Sequence, residues 1–339
     1  MHRILLNSSA LGLALAATIA AGAARAGTDT VVNLATAPGG MVIVPPASNA
    51  PAGSTTQLWV SDHLQGFCRV ASTTLTGCLT IGAPGQPAYK ADTRQVFVPD
   101  LSSKSIGIRR LTFSASGTTT SGGRSINPTL TVADGGGKTG RLGDVRPDAV
   151  VVDRNGNLYV SANRNGNIYR ITYTASNDTY AARARVIGQS SDGGRVLGLA
   201  LDAAGNLYLA EAAGVTVITG VGSCTPANPC VADPFEMPDV FAPQALAYVA
   251  PHLYAGETTY VVVKDLETGE VATLTGDASH PIINASGLAA TKGTPATVDG
   301  NGVPISPSLT GNIYVGVDRT GGSGNLQGFW YRFDPISVP

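Results

Sequence analysis

The sequence predicts an all-β protein, a single six-bladed β-propeller of four-stranded antiparallel blades. Three observations carry this. A unit of short apolar strands cut by Asp/Asn/Gly turns recurs six times. Glycine (42) and proline (21) are abundant while charged residues make up only 13%, which suits many short strands joined by tight turns. The last copy of the unit is one strand short, and a spare strand stands near the N-terminus.

The first residues read as an export leader rather than as part of the fold. Met1-His2-Arg3 is positively charged, an Ala/Leu-rich stretch follows, and Ala24-Arg25-Ala26 is the small-x-small pattern of a signal-peptidase site. Asn7, Ser8 and Ser9 interrupt the apolar run, leaving it too short to span a bilayer. Residues 1–26 are therefore expected to be removed, and 27–339 to form one domain. Losing Arg3 and Arg25 takes Lys+Arg from 22 to 20 against 23 acids, a net charge of about −3. Such a chain has no electrostatic footprint for nucleic acid. No later segment approaches a membrane span, so a soluble monomer in the periplasm or outside the cell is expected.

The clearest repeat is DAVVVDRNGNLYVSANRNGNIYRITY, Asp148 to Tyr173, and LGLALDAAGNLYLAEAAGVTVITG follows it from Leu197. An aromatic near the start of each second strand counts the copies: Trp59, Phe97, Tyr159, Tyr208, Tyr254 and Tyr314. Their spacings of 38, 62, 49, 46 and 60 residues match four-stranded blades. In the Asp153–Asn157 and Asp202–Asn206 turns, Asp and Asn bond their own backbone and glycine takes the positive φ. These aromatics are core, packed between blades. The final copy offers three strands, and TVVNLA, Thr30 to Ala35, is the expected fourth, closing the ring beside Gly328–Phe333.

The four cysteines form two local pairs. In an oxidising compartment Cys68 and Cys78 should staple the third and fourth strands of blade one, and Cys224 and Cys230 should close the TPANP loop.

The GNLYV and GNIYRI elements resemble NHL repeats, and RPDAVVVDRNGNLYVS, Arg146 to Ser161, is similar to a segment of the SMP-30/gluconolactonase group. Both groups are six-bladed propellers, and the second carries a divalent cation, usually Ca²⁺, on channel oxygens from one Glu, two Asn and one Asp. Against that pattern, the first blade begins GGMVIVPP with no EGP-like motif, and Leu197 stands at the second Asn. Asp148 stands at the first Asn and Glu211 at the Asp. The resemblance thus implies a metal site retained at Asp148 and Glu211 and lost at the other two positions.

Propeller topology gathers further polar residues on one rim, because the loop entering strand one and the loop leaving strand two share a face. The rim candidates are Asp62, His63, Asp100, Asp148, Asn163, Glu211, Glu257, His280 and Asp318. They could hold a hard cation on oxygens, or a transition metal on His63 and His280. His252 falls in a strand-one-to-two turn on the opposite face, where a solvent-exposed residue is expected. GxSxG, Walker, HExxH and Cys–His patterns are absent, and GGGKTG at 135–140 lacks phosphate-loop spacing, so no nucleotide, flavin or haem is expected. Two functions follow. The first is a binding propeller that takes a small molecule, glycan or protein on a carboxylate-lined channel face. The alternative is a lactonase-like hydrolase that uses a divalent cation to polarise a carbonyl and activate water.

Overall fold

The computed structural model describes residues 32–34, 38–71, 74–131, 140–162, 165–298, 300, 304–320 and 326–339. The leader, most of the GGGKTG run and Asn163 lie outside the described residues. Within them the chain is a ring of six antiparallel blades. Blade one comprises Pro38–Val44, Gln57–Asp62, Gly66–Ala71 and Thr74–Leu79. Blade two comprises Ala88–Lys90, Gln95–Pro99, Ile108–Phe113 and Thr120–Ile126. Blade three is Pro147–Val152, Leu158–Ala162, Asn165–Ile171 and Arg183–Gln189. Blade four is Gly198–Leu201, Leu207–Glu211, Gly214–Ile218 and Asp233–Pro234. Blade five is Ala245–Val249, His252–Gly256, Tyr260–Asp265 and Val271–Thr275.

Blade six takes Ala285–Ala290, Ile313–Thr320 and Leu326–Phe333 from the end of the chain and Val32–Leu34 from its beginning. Val32 lies opposite Trp330 and Leu34 opposite Gly328, so the expected closure of the ring is found. An outer strand left without this partner would present a row of unpaired N–H and C=O groups. The outer edge of blade three is covered differently, by two short parallel segments, Thr129–Thr131 and Cys230–Val231. The Cys224–Cys230 disulfide holds the second of these in its loop, and Cys68–Cys78 joins the third and fourth strands of blade one.

Successive side chains on a strand point to opposite faces, so each blade buries one set against each neighbour. The result is six separate hydrophobic clusters, one per seam. Trp59 packs between blades one and two with Phe67, Val98 and Phe113, and its indole N–H donates to the Gly117 carbonyl at 3.0 Å. Tyr159 fills the seam between blades three and four, and Tyr208 and Tyr254 the next two. The seam between blades six and one is thin: its buried apolar members are Met41, Leu58, Val60, Ala289 and Trp330. The Asp153 turn closes as expected, its carboxylate accepting from the Asn155 and Asn157 N–H groups, with Gly156 at φ 86°.

One expectation fails here. His252 is not solvent-exposed; it is completely buried. The long connection between the first two strands of blade six folds back over the blade-five turn, and its Ser308–Leu309 pairs with Ser337–Val338 at the C-terminus. His252 Nε2 lies 2.8 Å from Ser308 Oγ and 3.7 Å from Asp265 Oδ2.

Candidate functional site

Four of the rim carboxylates fall at a fixed step from the blade aromatic. Asp62, Asp100, Glu211 and Glu257 each follow it by three residues. That step turns the side chain away from the face used by the aromatic and into the seam before its own blade. There each carboxylate is occupied by local donors. Asp62 accepts the Leu64 and Gln65 N–H groups, both at 2.8 Å. Asp100 accepts the Ser102 N–H and hydroxyl. Glu211, fully buried, accepts from the Ser191 N–H and hydroxyl in the preceding connection and from Thr216 Oγ1 at 2.6 Å. Glu257 accepts the Phe241 and Ala242 N–H groups in the same way. A carboxylate receiving two or three such bonds is a clamp for a turn or an inter-blade connection.

Asp148, which enters blade three, receives Arg195 Nε at 3.1 Å and Nη2 at 2.7 Å. Asp148 Oδ2 and both Glu211 oxygens are therefore engaged, and by different partners. Among the described residues no three His, Cys, Asp or Glu side chains come together as a cation would require. The described residues assemble no such site in the channel.

Blade six breaks the rule. Val317 occupies the third position after Tyr314, and the acid comes one residue later, at Asp318. This reverses its direction, so Asp318 faces the thin seam toward blade one. Asp318 lies opposite Gly328 and Trp330 opposite Gly316, which places both side chains on one side of the sheet. Asp318 Oδ1 and Trp330 Nε1 are buried without a hydrogen-bond partner. Burial pushes the Asp318 carboxyl above its ordinary value, and the His63 charge opposes that rise. His63 sits at the top of the same seam; a Cβ on Gly39 would lie 2.8 Å from its Nε2. His280 is elsewhere. Its Nδ1 is 3.2 Å from Asp277 Oδ1, and its ring meets the edge of Tyr331, which belongs to the seam between blades five and six. His63 and His280 thus lie on opposite sides of blade six and do not share a metal.

The ring axis is closed by a residue that sequence reasoning missed. Gln86 precedes the inner strand of blade two. Its backbone N–H donates to the Asp148 carbonyl and its carbonyl accepts from Val150 of blade three. Its side-chain amide donates to the carbonyls of Leu199 (2.7 Å, blade four) and Leu246 (3.2 Å, blade five), and accepts the Leu199 N–H at 3.0 Å. The remaining inner strands converge on the same level. A Cβ on Gly198 would lie 2.8 Å from Leu246 N, an approach that only glycine permits, and one on Gly287 would lie 3.3 Å from the Gly40 Cα, a tight contact. The only sequence signal for Gln86 is a lone amide side chain in APGQPAYK, just before an inner strand.

Beyond Gln86 the axis opens toward the face carrying the strand-one-to-two turns. A cavity of about 250 Å³ is lined by Gln86 at its closed end and by inner strands of all six blades, including Ile43, Val151, Leu201 and Ala247, with Tyr89 and Tyr248 among the lining residues. An adjoining groove of about 600 Å³ runs between the turns of blades three and four and shares Val152, Leu201 and Tyr248 with the axial cavity. Its polar lining is Asp153, Arg154, Asn155 and Asp202.

No protein-family model and no curated protein matches this chain. Solved structures do. A gluconolactonase from Xanthomonas campestris aligns over 93% of this chain and 93% of its own at 16% identity, with a TM-score of 0.52. A structure described as a putative gluconolactonase aligns over 93% and 96% at 13% identity, with a TM-score of 0.53. At these identities the likeness is one of fold, and it agrees with the six-bladed propeller of the SMP-30/gluconolactonase-like group.

Proposed function

We propose that this chain is an exported binding propeller. Its ligand would be a small molecule whose apolar part enters the ring axis from the turn face and whose polar part lies in the groove between blades three and four. The observation that carries this reading is the axial cavity itself. Its lining side chains are mostly apolar, the Gln86 amide stops it at one end, and it leads to a polar groove at the other. Concave, mostly apolar sites with a few convergent polar groups are where small ligands bind. Two disulfides and the leader-like N-terminus support an oxidising destination, periplasmic or extracellular. Titration with the neutral fluorophore N-phenyl-1-naphthylamine tests the site. One molecule should bind per chain, and Ala247→Phe, which fills the cavity, should weaken it at least tenfold. Equal binding by both proteins would refute the site.

A hydrolytic reading has one observation in its favour, the Asp318 carboxyl beside His63, whose Oδ1 is buried without a hydrogen-bond partner. A half-buried acid with a raised pKa beside a histidine is the kind of group acid–base chemistry employs. A screen of lactones that finds turnover in the wild type and none in Asp318→Asn would select this reading over plain binding.

A further inference from the structure

We infer that a second ligand site, for a phosphate or sulfate group carried by a small molecule, lies in the groove between the outer strand of blade two and the hairpin that blade three extends over it. Arg110 and Arg124 are directly opposite each other on adjacent strands of blade two. Their side chains share one face of the sheet, where like charges in register are destabilising. The groove, of about 370 Å³, is lined by both of them and by Arg141, with Asp178 as its one carboxylate. That carboxylate is already engaged. Asp178 Oδ1 is 2.9 Å from Arg110 Nη1 and accepts from the Tyr173 hydroxyl at 3.0 Å.

Arg110 is buried and held in place. Its Nη1 also donates to the Asp178 carbonyl, and its guanidinium lies 5.8 Å from the centre of the Tyr180 ring. Arg124 and Arg141 are exposed, and among the described residues neither pairs with a carboxylate. Tyr180 also lines the groove, and its hydroxyl is buried without a hydrogen-bond partner. Three arginines therefore line one concavity, with Asp178 paired to Arg110 and Asp144 accepting the Arg141 backbone N–H at 2.7 Å, in a chain whose overall net charge is −1. A tetrahedral oxyanion supplies what the groove lacks. It offers several acceptor oxygens, it matches the planar guanidinium fork, and its double charge relieves the Arg110–Arg124 opposition. The volume suits a small molecule rather than a protein surface.

Calorimetric titration with inorganic phosphate and with sulfate, against chloride at matched ionic strength, tests the assignment. The wild type should bind one phosphate or sulfate per chain, and Arg124→Gln/Arg141→Gln should weaken it at least tenfold. Lys292→Gln, an exposed cation outside the groove, should change nothing. Because Arg124 and Arg141 are exposed, the double variant should keep its fold, checked by an unchanged melting curve in chloride. It should also still bind N-phenyl-1-naphthylamine, so this site and the axial one fail separately. Phosphate behaving as chloride does, or the double variant binding as the wild type does, would overturn the inference.

Discussion

Replacing Glu211 by alanine distinguishes a structural clamp from a metal ligand. The carboxylate is completely buried and accepts from the Ser191 N–H, the Ser191 hydroxyl and the Thr216 hydroxyl. Each buried donor left unsatisfied costs about 1–3 kcal/mol. The two hydroxyls can rotate toward other acceptors, and water can enter from the connection. The net loss should therefore be about 3 kcal/mol rather than the full sum. For a domain of this size that lowers Tm by about 4–5 °C. Glu211→Gln should lose less, because one acceptor oxygen remains while its new NH₂ faces a donor. The assay is thermal denaturation with Ca²⁺, Mg²⁺, Zn²⁺ or chelator, for the wild type and both variants. The clamp reading expects a wild-type Tm that does not respond to these additions and a large drop in Glu211→Ala under all of them. A wild type stabilised by a cation, with that stabilisation absent in Glu211→Gln, would refute it.

Other outcomes follow from individual residues. Burial lowers the His252 pKa, the Asp265 charge opposing, so the unfolded chain binds more protons below about pH 6.5 and stability falls as pH drops through that range. Chemical denaturation at pH 5 to 7.5 should show that slope, and His252→Gln, which can still bond Ser308, should flatten it; an unchanged slope would exclude His252 as its source. Asp318 has a raised pKa, so its native form holds the extra proton and stability is lost as pH rises from about 4 through the folded value. Asp318→Asn should therefore match the wild type in acid and exceed it in Tm at pH 7, and a lower Tm at pH 7 would contradict this. Gln86→Ala should cost about 2 kcal/mol, since it strands the Leu199 N–H, and should admit ligands to the axis from both faces; a variant as stable as the wild type would show that Gln86 does not tie the inner strands.

Much of the ring is legible in the sequence because the blade unit is local. Six aromatics count six blades, and a missing strand at one end finds its substitute at the other. Both disulfides are readable for the same reason: each joins residues within one hairpin or one loop. The site was less legible, since it depends on which way side chains turn. Listing the acids of one rim merges Asp62, Asp100, Glu211 and Glu257, which serve the backbone, with Asp318, which does not. The spacing from the blade aromatic separates them, three residues against four, and this was available in the sequence. Gln86 and His252 were not available in that way. Gln86 acts on inner strands of blades four and five through contacts more than 100 residues away. His252 is covered by a connection in blade six that follows no repeat, so periodicity gives no hint of its burial.

The proposed ligand cavity lies on the ring axis, lined mostly by apolar side chains, closed at Gln86 and open at the turn face. Crystals pressurised with xenon test it most directly, because xenon occupies dry apolar cavities and avoids hydrated polar ones. A xenon peak is expected on the axis, between Gln86 and Tyr248, in the wild type and none there in Ala247→Phe. Ordered waters filling the axis in place of xenon, or a cation bound by Asp148 and Glu211 at the opposite mouth, would contradict it.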